Sequence, residues 1–181
     1  MSVVYIVLGK GFEEMEAVVP CDLLRRAGVE ARFVGIGGLD IVGSRGIIVH
    51  ADCTQADVCW DEGDMIVLPG GLGGVASIRA DETVMQAVRD YAQKGKYVAA
   101  ICAAPTVLAE LGLTDGKKAT CYPGMEDEMG QAEMCDADAV TDGKIITGRA
   151  AGAAFAFGLA LITALCGEET ARRIAQEVVF R

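Results

Sequence analysis

Cys102 has the local setting that most invites chemistry. It follows the apolar run Tyr97-Val98-Ala99-Ala100-Ile101 and precedes Ala103-Ala104-Pro105-Thr106, after which the chain keeps a helix-forming composition to Leu111. Proline is tolerated in a helix only in its first turn. The spacing therefore predicts a strand that turns at once into a helix. Such a junction lifts the turn residue out of the sheet at its carboxyl edge, the geometry of a nucleophile elbow. Backbone N–H groups and the helix dipole there favour a thiolate.

Two other stretches are expected at the same edge. Met65-Ile66-Val67-Leu68 reads as a buried strand stopped by Pro69-Gly70-Gly71, and the N–H groups of Gly70 and Gly71 could form an oxyanion hole. Glu16 lies one turn into a helix that follows the first strand. If its carboxyl points at Cys102, two acidic groups share a small site and cannot readily both be charged. One proton is then shared, favouring a thiolate beside a protonated carboxyl. The neighbouring Glu13 and Glu14 read as solvated residues that complement the helix dipole.

Other candidates are weaker. Gly71-Leu72-Gly73-Gly74-Val75-Ala76 matches a dinucleotide fingerprint, but it follows a late strand, and no acidic residue ending a second strand follows it to hold a ribose. A tight turn is the better reading. The single histidine, His50, ends a strand away from the carboxyl-edge turns and reads as a structural or interface residue, so no Ser/His/Asp or Cys/His triad can be assembled. The 7 cysteines are odd in number, scattered and without a C-x-x-C pair, which argues against a disulfide framework or a zinc site. No metal and no cofactor are expected. Cys21, Cys53, Cys121 and Cys166 read as inert structural thiols, and free thiols fit a reducing cytoplasm.

The elements that must position these residues follow from the pattern. Val3–Leu8 is a first strand ending in Gly9-Lys10-Gly11. A helix opens at Phe12-Glu13-Glu14-Met15-Glu16 and runs to about Ala27, with Pro20 inside it expected to kink or loosen a turn. A strand over 31–36, a hairpin around Gly43-Ser44-Arg45-Gly46, a helix capped by Asp81, strands over 119–121 and 144–147, a buried helix over 152–165 and an amphipathic helix over 168–179 complete the series. The segment 125–138 reads as irregular acidic surface. Strands alternating with helices predict an α/β fold with a mainly parallel sheet and helices on both faces. Ligands of such sheets bind outside the carboxyl ends of the strands.

With 181 residues, the chain is expected to form one domain over 1–181, with a substantial core. The net charge of -10 excludes nucleic acid and anionic membrane as natural partners. No apolar run reaches the ~20 residues that span a bilayer, and the first residues lack the basic start and cleavage site of a signal peptide.

Three motifs then carry a resemblance. Ala99-Ala100-Ile101-Cys102-Ala103-Ala104-Pro105, Gly11-Phe12-Glu13-Glu14-Met15-Glu16 and Leu68-Pro69-Gly70-Gly71 resemble, in order and spacing, the signatures of the ThiJ/PfpI superfamily. Ser44-Arg45 and Thr147-Gly148-Arg149 resemble the branch of the parkinsonism-associated protein deglycase and its bacterial homologues. The similarity spans nearly the whole chain. It implies a flavodoxin-like three-layer sandwich of the class I glutamine amidotransferase-like type, forming a homodimer packed partly through the first helix. It further implies Cys102 as nucleophile and redox-sensitive thiol, Glu16 as protonated partner and proton shuttle, and Gly70, Gly71 and the Ala103 backbone as oxyanion donors. Arg45 and Arg149 would line an anion-accepting region.

Two departures stand out. Tyr122 precedes Pro123 where relatives often carry histidine, so it could supply only a phenolic hydrogen bond, and Ala150-Ala151-Gly152 replaces Gly-Pro-Gly. The implied activity is cofactor-independent turnover of a small carbonyl such as methylglyoxal. The alternatives are an oxidation sensor or chaperone working through a Cys102 sulfinic acid, and a peptidase or amidotransferase-like hydrolase, against which the missing histidine speaks.

Overall fold

A computed structural model describes residues 2–180. In chain order the elements are β1 (Val3–Leu8), α1 (Glu14–Arg26), β2 (Glu30–Gly35), β3 (Asp40–Val42), β4 (Ile48–His50), β5 (Cys53–Thr54), β6 (Met65–Leu68), α2 (Leu72–Ala80), α3 (Glu82–Gln93), β7 (Tyr97–Ile101), α4 (Pro105–Glu110), β8 (Lys118–Ala119), β9 (Glu133–Met134), β10 (Ala139–Asp142), β11 (Ile145–Gly148), α5 (Ala154–Cys166) and α6 (Glu168–Glu177). The main sheet runs in the order β10-β11-β7-β6-β1-β2-β5. All its pairs are parallel except β10 against β11.

Strand residues alternate between two cores, as a pleated sheet requires. Val4, Ile6 and Leu8 of β1 face Ala17, Leu23 and Leu24 of α1 together with Phe157 and Leu161 of α5. Tyr5 and Val7 face the opposite side, with Val75 and Ile78 of α2, Val84 and Val88 of α3 and Val107 of α4. The α/β fold with helices on both faces is therefore observed. From β1 the chain first adds β2 and β5 on one side, then β6, β7 and β11 on the other. The strand order reverses between β1 and β6, so their carboxyl ends bound the crevice where such folds bind ligands.

Four expectations change. Leu72–Ala80 is a helix, α2, which its run of glycines concealed. The segment 119–121 does not join the main sheet; β8 pairs in a small sheet of its own with β9, which lies inside the stretch read as irregular. An antiparallel edge strand, β10, precedes β11. The apolar helix α5 is not buried all round, since Phe155 and Thr163 on it are exposed. Asp81 does cap α3, its carboxylate accepting from Val84 N–H at 3.0 Å.

The end of α6 carries a local strain. Val179 sits at φ 56°, while Phe180 N–H bonds Ala175 O at 2.9 Å and Val179 N–H bonds Gln176 O at 3.1 Å. This is a Schellman ending with valine in the left-handed position that glycine normally takes. Phe180 stacks on Phe155, ring centroids 5.4 Å apart. Val179 is 71% exposed, so its side chain buries little. Val179→Gly is expected to stabilise the fold by about 1 kcal/mol, raising the melting midpoint by roughly 2–4 °C. Thermal unfolding followed by circular dichroism checks this; a lower midpoint would refute it.

Candidate functional site

Cys102 occupies a strained turn. Its φ is 67°, a conformation that costs a residue with a Cβ roughly 1–2 kcal/mol. Three neighbours hold it there. Its N–H donates to Gly148 O at 2.9 Å, its carbonyl accepts from Tyr122 N–H at 2.8 Å, and Ala104 N–H bonds back to Ile101 O at 3.1 Å. Pro105 then starts α4 at its first position. The elbow is thus fastened by β11 on one side and by the 120–122 segment on the other. Helix α4 begins three residues beyond the sulfur. The backbone amides of Ala103 and Gly71 lie beside the Cys102 sulfur and favour its anion.

Glu16 completes the site. Glu13 caps α1 by accepting from Glu16 N–H at 2.9 Å, and the Glu16 side chain is 0% exposed. Its Oε2 accepts from Gly70 N–H at 2.8 Å. Oε1 has no hydrogen-bond partner of good geometry, and the carboxyl lies against the Cys102 thiol. Burial pushes Glu16 up to about 7, although the Cys102 and Gly70 hydrogen bonds pull the other way. Burial first, and then the facing Glu16 carboxylate, also push the Cys102 thiol up. The two groups therefore behave as one pair that keeps a shared proton near neutrality.

The turn after β6 fits between these groups because it lacks side chains. A Cβ on Gly70 would lie 2.5 Å from Glu16 Oε2 and 2.7 Å from Cys102 Cβ. Gly71 has φ +82°, and a Cβ there would lie 2.5 Å from Gly11 O. Glu13 N–H fastens the turn by donating to Gly70 O at 3.0 Å. Gly70→Ala is expected to drive Glu16 and Cys102 apart. Displacements near 1 Å at a reacting group cost about a hundredfold in rate, so any reaction that needs the two groups together should slow by about that factor. A Gly70→Ala variant of wild-type activity would show that the contact is relieved without moving either group.

The remaining expected residues are placed less uniformly. Ala103 and Gly71 present their N–H groups to the sulfur, whereas Gly70 N–H is already taken by Glu16, which narrows the expected oxyanion set. Tyr122 reaches the elbow through its backbone, while its side chain is 49% exposed. Arg45 is exposed in the turn between β3 and β4. Arg149 directs its guanidinium to Asp136 and lines a cavity of about 290 Å³ with Thr120, Cys121 and Cys135, in whose lining Cys102 has no part. His50 pairs with Asp40 at 2.6 Å at the open end of the β3–β4 hairpin. Burial pushes the Cys21 and Cys121 thiols up to about 11, which suits inert residues. No group of three or more ligating side chains suited to a metal occurs among the described residues.

The reading of Glu14 as a solvated residue is overturned. It is buried and accepts hydrogen bonds from the Ser44–Ile47 turn. Its signal was its spacing: Glu14, Ala17 and Cys21 share one buried stripe of α1, and an acid on such a stripe needs partners.

Comparison with known proteins gives the same fold and a family. A family model described as the DJ-1/PfpI family matches residues 2–164. Protein dj-1beta of Drosophila melanogaster is 38% identical over 174 residues, covering 94% of this chain and 93% of that protein. A deglycase of Pyrococcus horikoshii is 34% identical over 151 residues, covering 82% of this chain and 90% of that protein. The crystal structure of Drosophila melanogaster DJ-1beta superposes with a TM-score of 0.93 at 36% identity, covering 100% of both chains.

Proposed function

The chain belongs to the DJ-1/PfpI family, and from that premise we propose a cofactor-independent, cysteine-dependent stress protein that converts methylglyoxal-like dicarbonyls to hydroxy acids. The observation that carries this reading is the buried Glu16 carboxyl against a Cys102 sulfur that already receives the Gly71 and Ala103 N–H groups. The Cys102 thiolate adds to the aldehyde carbon, and its electron pair forms the C–S bond of a hemithioacetal while the carbonyl oxygen becomes an oxyanion. The Gly71 and Ala103 donors that favour a charged sulfur are placed to favour that oxygen as well. Glu16 gives its proton to the oxyanion, takes the hydrogen from the former aldehyde carbon and returns it to the adjacent carbon, while the new hydroxyl's proton passes to the adjacent carbonyl oxygen, leaving a thioester of the hydroxy acid. Water cleaves the thioester, releasing the hydroxy acid and the thiol. Methylglyoxal plus water thus yields lactate, with no external oxidant.

Arg45 is assigned the anion-accepting role, its turn being tied through Ser44 and Phe12 to the loop that packs on Gly71. Arg149, engaged by Asp136, is assigned a weaker part in it, and Tyr122 supplies a phenol at the rim. The similar deglycase of Pyrococcus horikoshii supports carbonyl-adduct chemistry for this site. We further infer a homodimer packed partly through α1, on which Met15 and Val18 are exposed one turn apart. The free state of all seven cysteines suits a reducing cytoplasm. Lactate formation from methylglyoxal without glutathione tests the assignment.

A second reading, an oxidation sensor, rests on a partly exposed Cys102 thiol that lies against the buried Glu16 carboxyl, which would stabilise a sulfinic acid there. Two peroxide molecules, each giving up one oxygen and leaving as water, would carry the thiol to a sulfinic acid. Peroxide oxidation selective for Cys102 in a protein that forms no lactate would support that reading. Equal oxidation of Cys121 would count against it. The hydrolase alternative lacks support, since the single imidazole sits on the hairpin with Asp40.

A further inference from the structure

Glu14 takes no part in the chemistry above, yet it is a buried carboxylate (5% exposed) saturated by a single turn. Arg45 N–H and Ile47 N–H donate to Oε1 at 2.7 and 3.4 Å, and the Ser44 hydroxyl donates to Oε2 at 3.1 Å. Burial alone would raise its pKa, but the hydrogen bonds, led by that of Arg45, outweigh burial and hold it below the usual carboxylate range. The turn makes room for this anion, since a Cβ on Gly43 would lie 2.4 Å from Oε1. Two more bonds tie the same hairpin to the loop behind Gly71: Gly11 N–H to Val42 O at 2.8 Å and Ser44 N–H to Phe12 O at 2.8 Å. The path from Arg45 to the sulfur thus runs through fixed backbone, by way of Ser44 to Phe12, the Gly11–Glu13 loop against Gly71, and Gly71 N–H to Cys102.

The geometry points to Glu14 as a positioning residue that locks the Ser44–Ile47 turn and so holds Arg45 where it draws anions to Cys102. This inference rests on the assignment of Arg45 under the proposed function. It makes an unusual electrostatic demand. Deleting a buried negative charge should by itself speed an anionic reagent, whereas releasing Arg45 should slow it. The two effects have opposite signs.

The test uses alkylation of Cys102, resolved from the other cysteines by peptide mass spectrometry, with anionic iodoacetate and neutral iodoacetamide at low ionic strength. Arg45→Ala is expected to lower the iodoacetate-to-iodoacetamide rate ratio by up to about fivefold, the ceiling for one unit charge at contact range in water. Glu14→Ala is expected to lower it as much, with the iodoacetamide rate kept within about twofold. The double variant should go no lower, since both act through one guanidinium. Glu14→Gln keeps an acceptor for Arg45 N–H and should recover most of the ratio. If Glu14→Ala does not fold, Gly43→Ala carries the comparison, because its Cβ displaces the same carboxylate. An unchanged ratio in Arg45→Ala overturns the assignment of Arg45 itself. A ratio that falls in Arg45→Ala but in neither Glu14→Ala nor Gly43→Ala overturns the role of Glu14 alone. Effects that multiply in the double variant overturn it too, since Glu14 would then act apart from Arg45.

Discussion

Cys102→Ala is expected to reduce lactate formation from methylglyoxal by at least about a thousandfold, the usual scale for removing a covalent nucleophile. Of the seven cysteines, Cys102 is the one that lies against the Glu16 carboxyl. Cys21 and Cys121 are buried, and their ionisation is pushed to about 11. The N–H groups of Gly71 and Ala103 converge on the sulfur of Cys102. The variant should fold, because alanine keeps the Cβ and the same φ of 67° that the Gly148 and Tyr122 hydrogen bonds already enforce. The loss should appear in kcat, with a circular dichroism spectrum like that of wild type. Cys102→Ser should be nearly as inactive, because a hydroxyl beside Glu16 does not ionise near neutrality. Lactate production at more than a tenth of the wild-type rate in Cys102→Ala would remove the thiol from the mechanism and the proposed function with it.

The elbow was legible in the sequence because its determinants are local. An apolar run into Cys102, followed by Pro105, fixes a strand, a turn and a helix start whatever the rest of the chain does. The parallel sheet was legible for the same reason, from alternation and glycine-rich turns. The partnership of Glu16 with Cys102 needed the strand order, since β1 and β7 meet only by way of β6; edge-sharing predicts it, and packing decides it. The commitment of Gly70 N–H to Glu16 was hidden, because two adjacent glycines look alike until one amide has a partner. Helix α4 starts at Pro105, as the sequence pattern indicates, but which individual amides lie beside the sulfur was not legible, because Gly71 comes from a turn some thirty residues earlier in the chain. Arg149 lies two residues beyond Thr147, so its backbone falls beside the elbow, but only the tertiary structure turns its guanidinium to Asp136. Helix α2 escaped for a compositional reason: Gly73 and Gly74 lower helix propensity, and close packing of the Gly73–Gly74 backbone on residues 10–12 forms it nonetheless.

Glu16→Gln should separate thiol reactivity from turnover and leave a signature in stability. Glu16 is raised from 4.5 to about 7, chiefly by burial. The folded protein therefore binds this proton more tightly than the unfolded chain. Between those two values the native state holds more protons, so unfolding free energy falls as pH rises through the interval. The contribution is fully present below 4.5 and is lost as pH passes 7. At 1.36 kcal/mol per pH unit this amounts to about 3 kcal/mol for a fully buried group. Glutamine cannot titrate. The difference between wild-type and variant stability from urea unfolding should thus slope downward with pH across the interval and level off beyond it. Parallel curves would mean that Glu16 is ionised at the ordinary carboxylate value and does not hold the proton assigned to it.

The kinetic consequences point in opposite directions. The like charge that, after burial, helps push the Cys102 thiol up to about 12 is absent from the variant. Its thiol should ionise more readily, and iodoacetamide should alkylate it at least as fast as in wild type above pH 7. Turnover of methylglyoxal should nevertheless fall by about 10²–10⁴, the usual value of a positioned acid and base, because the amide cannot carry hydrogen from one carbon to the next. A variant that alkylates quickly and produces lactate slowly would place Glu16 in the proton transfer. One that loses both activities in proportion would make the carboxyl an activator of the thiol and nothing more.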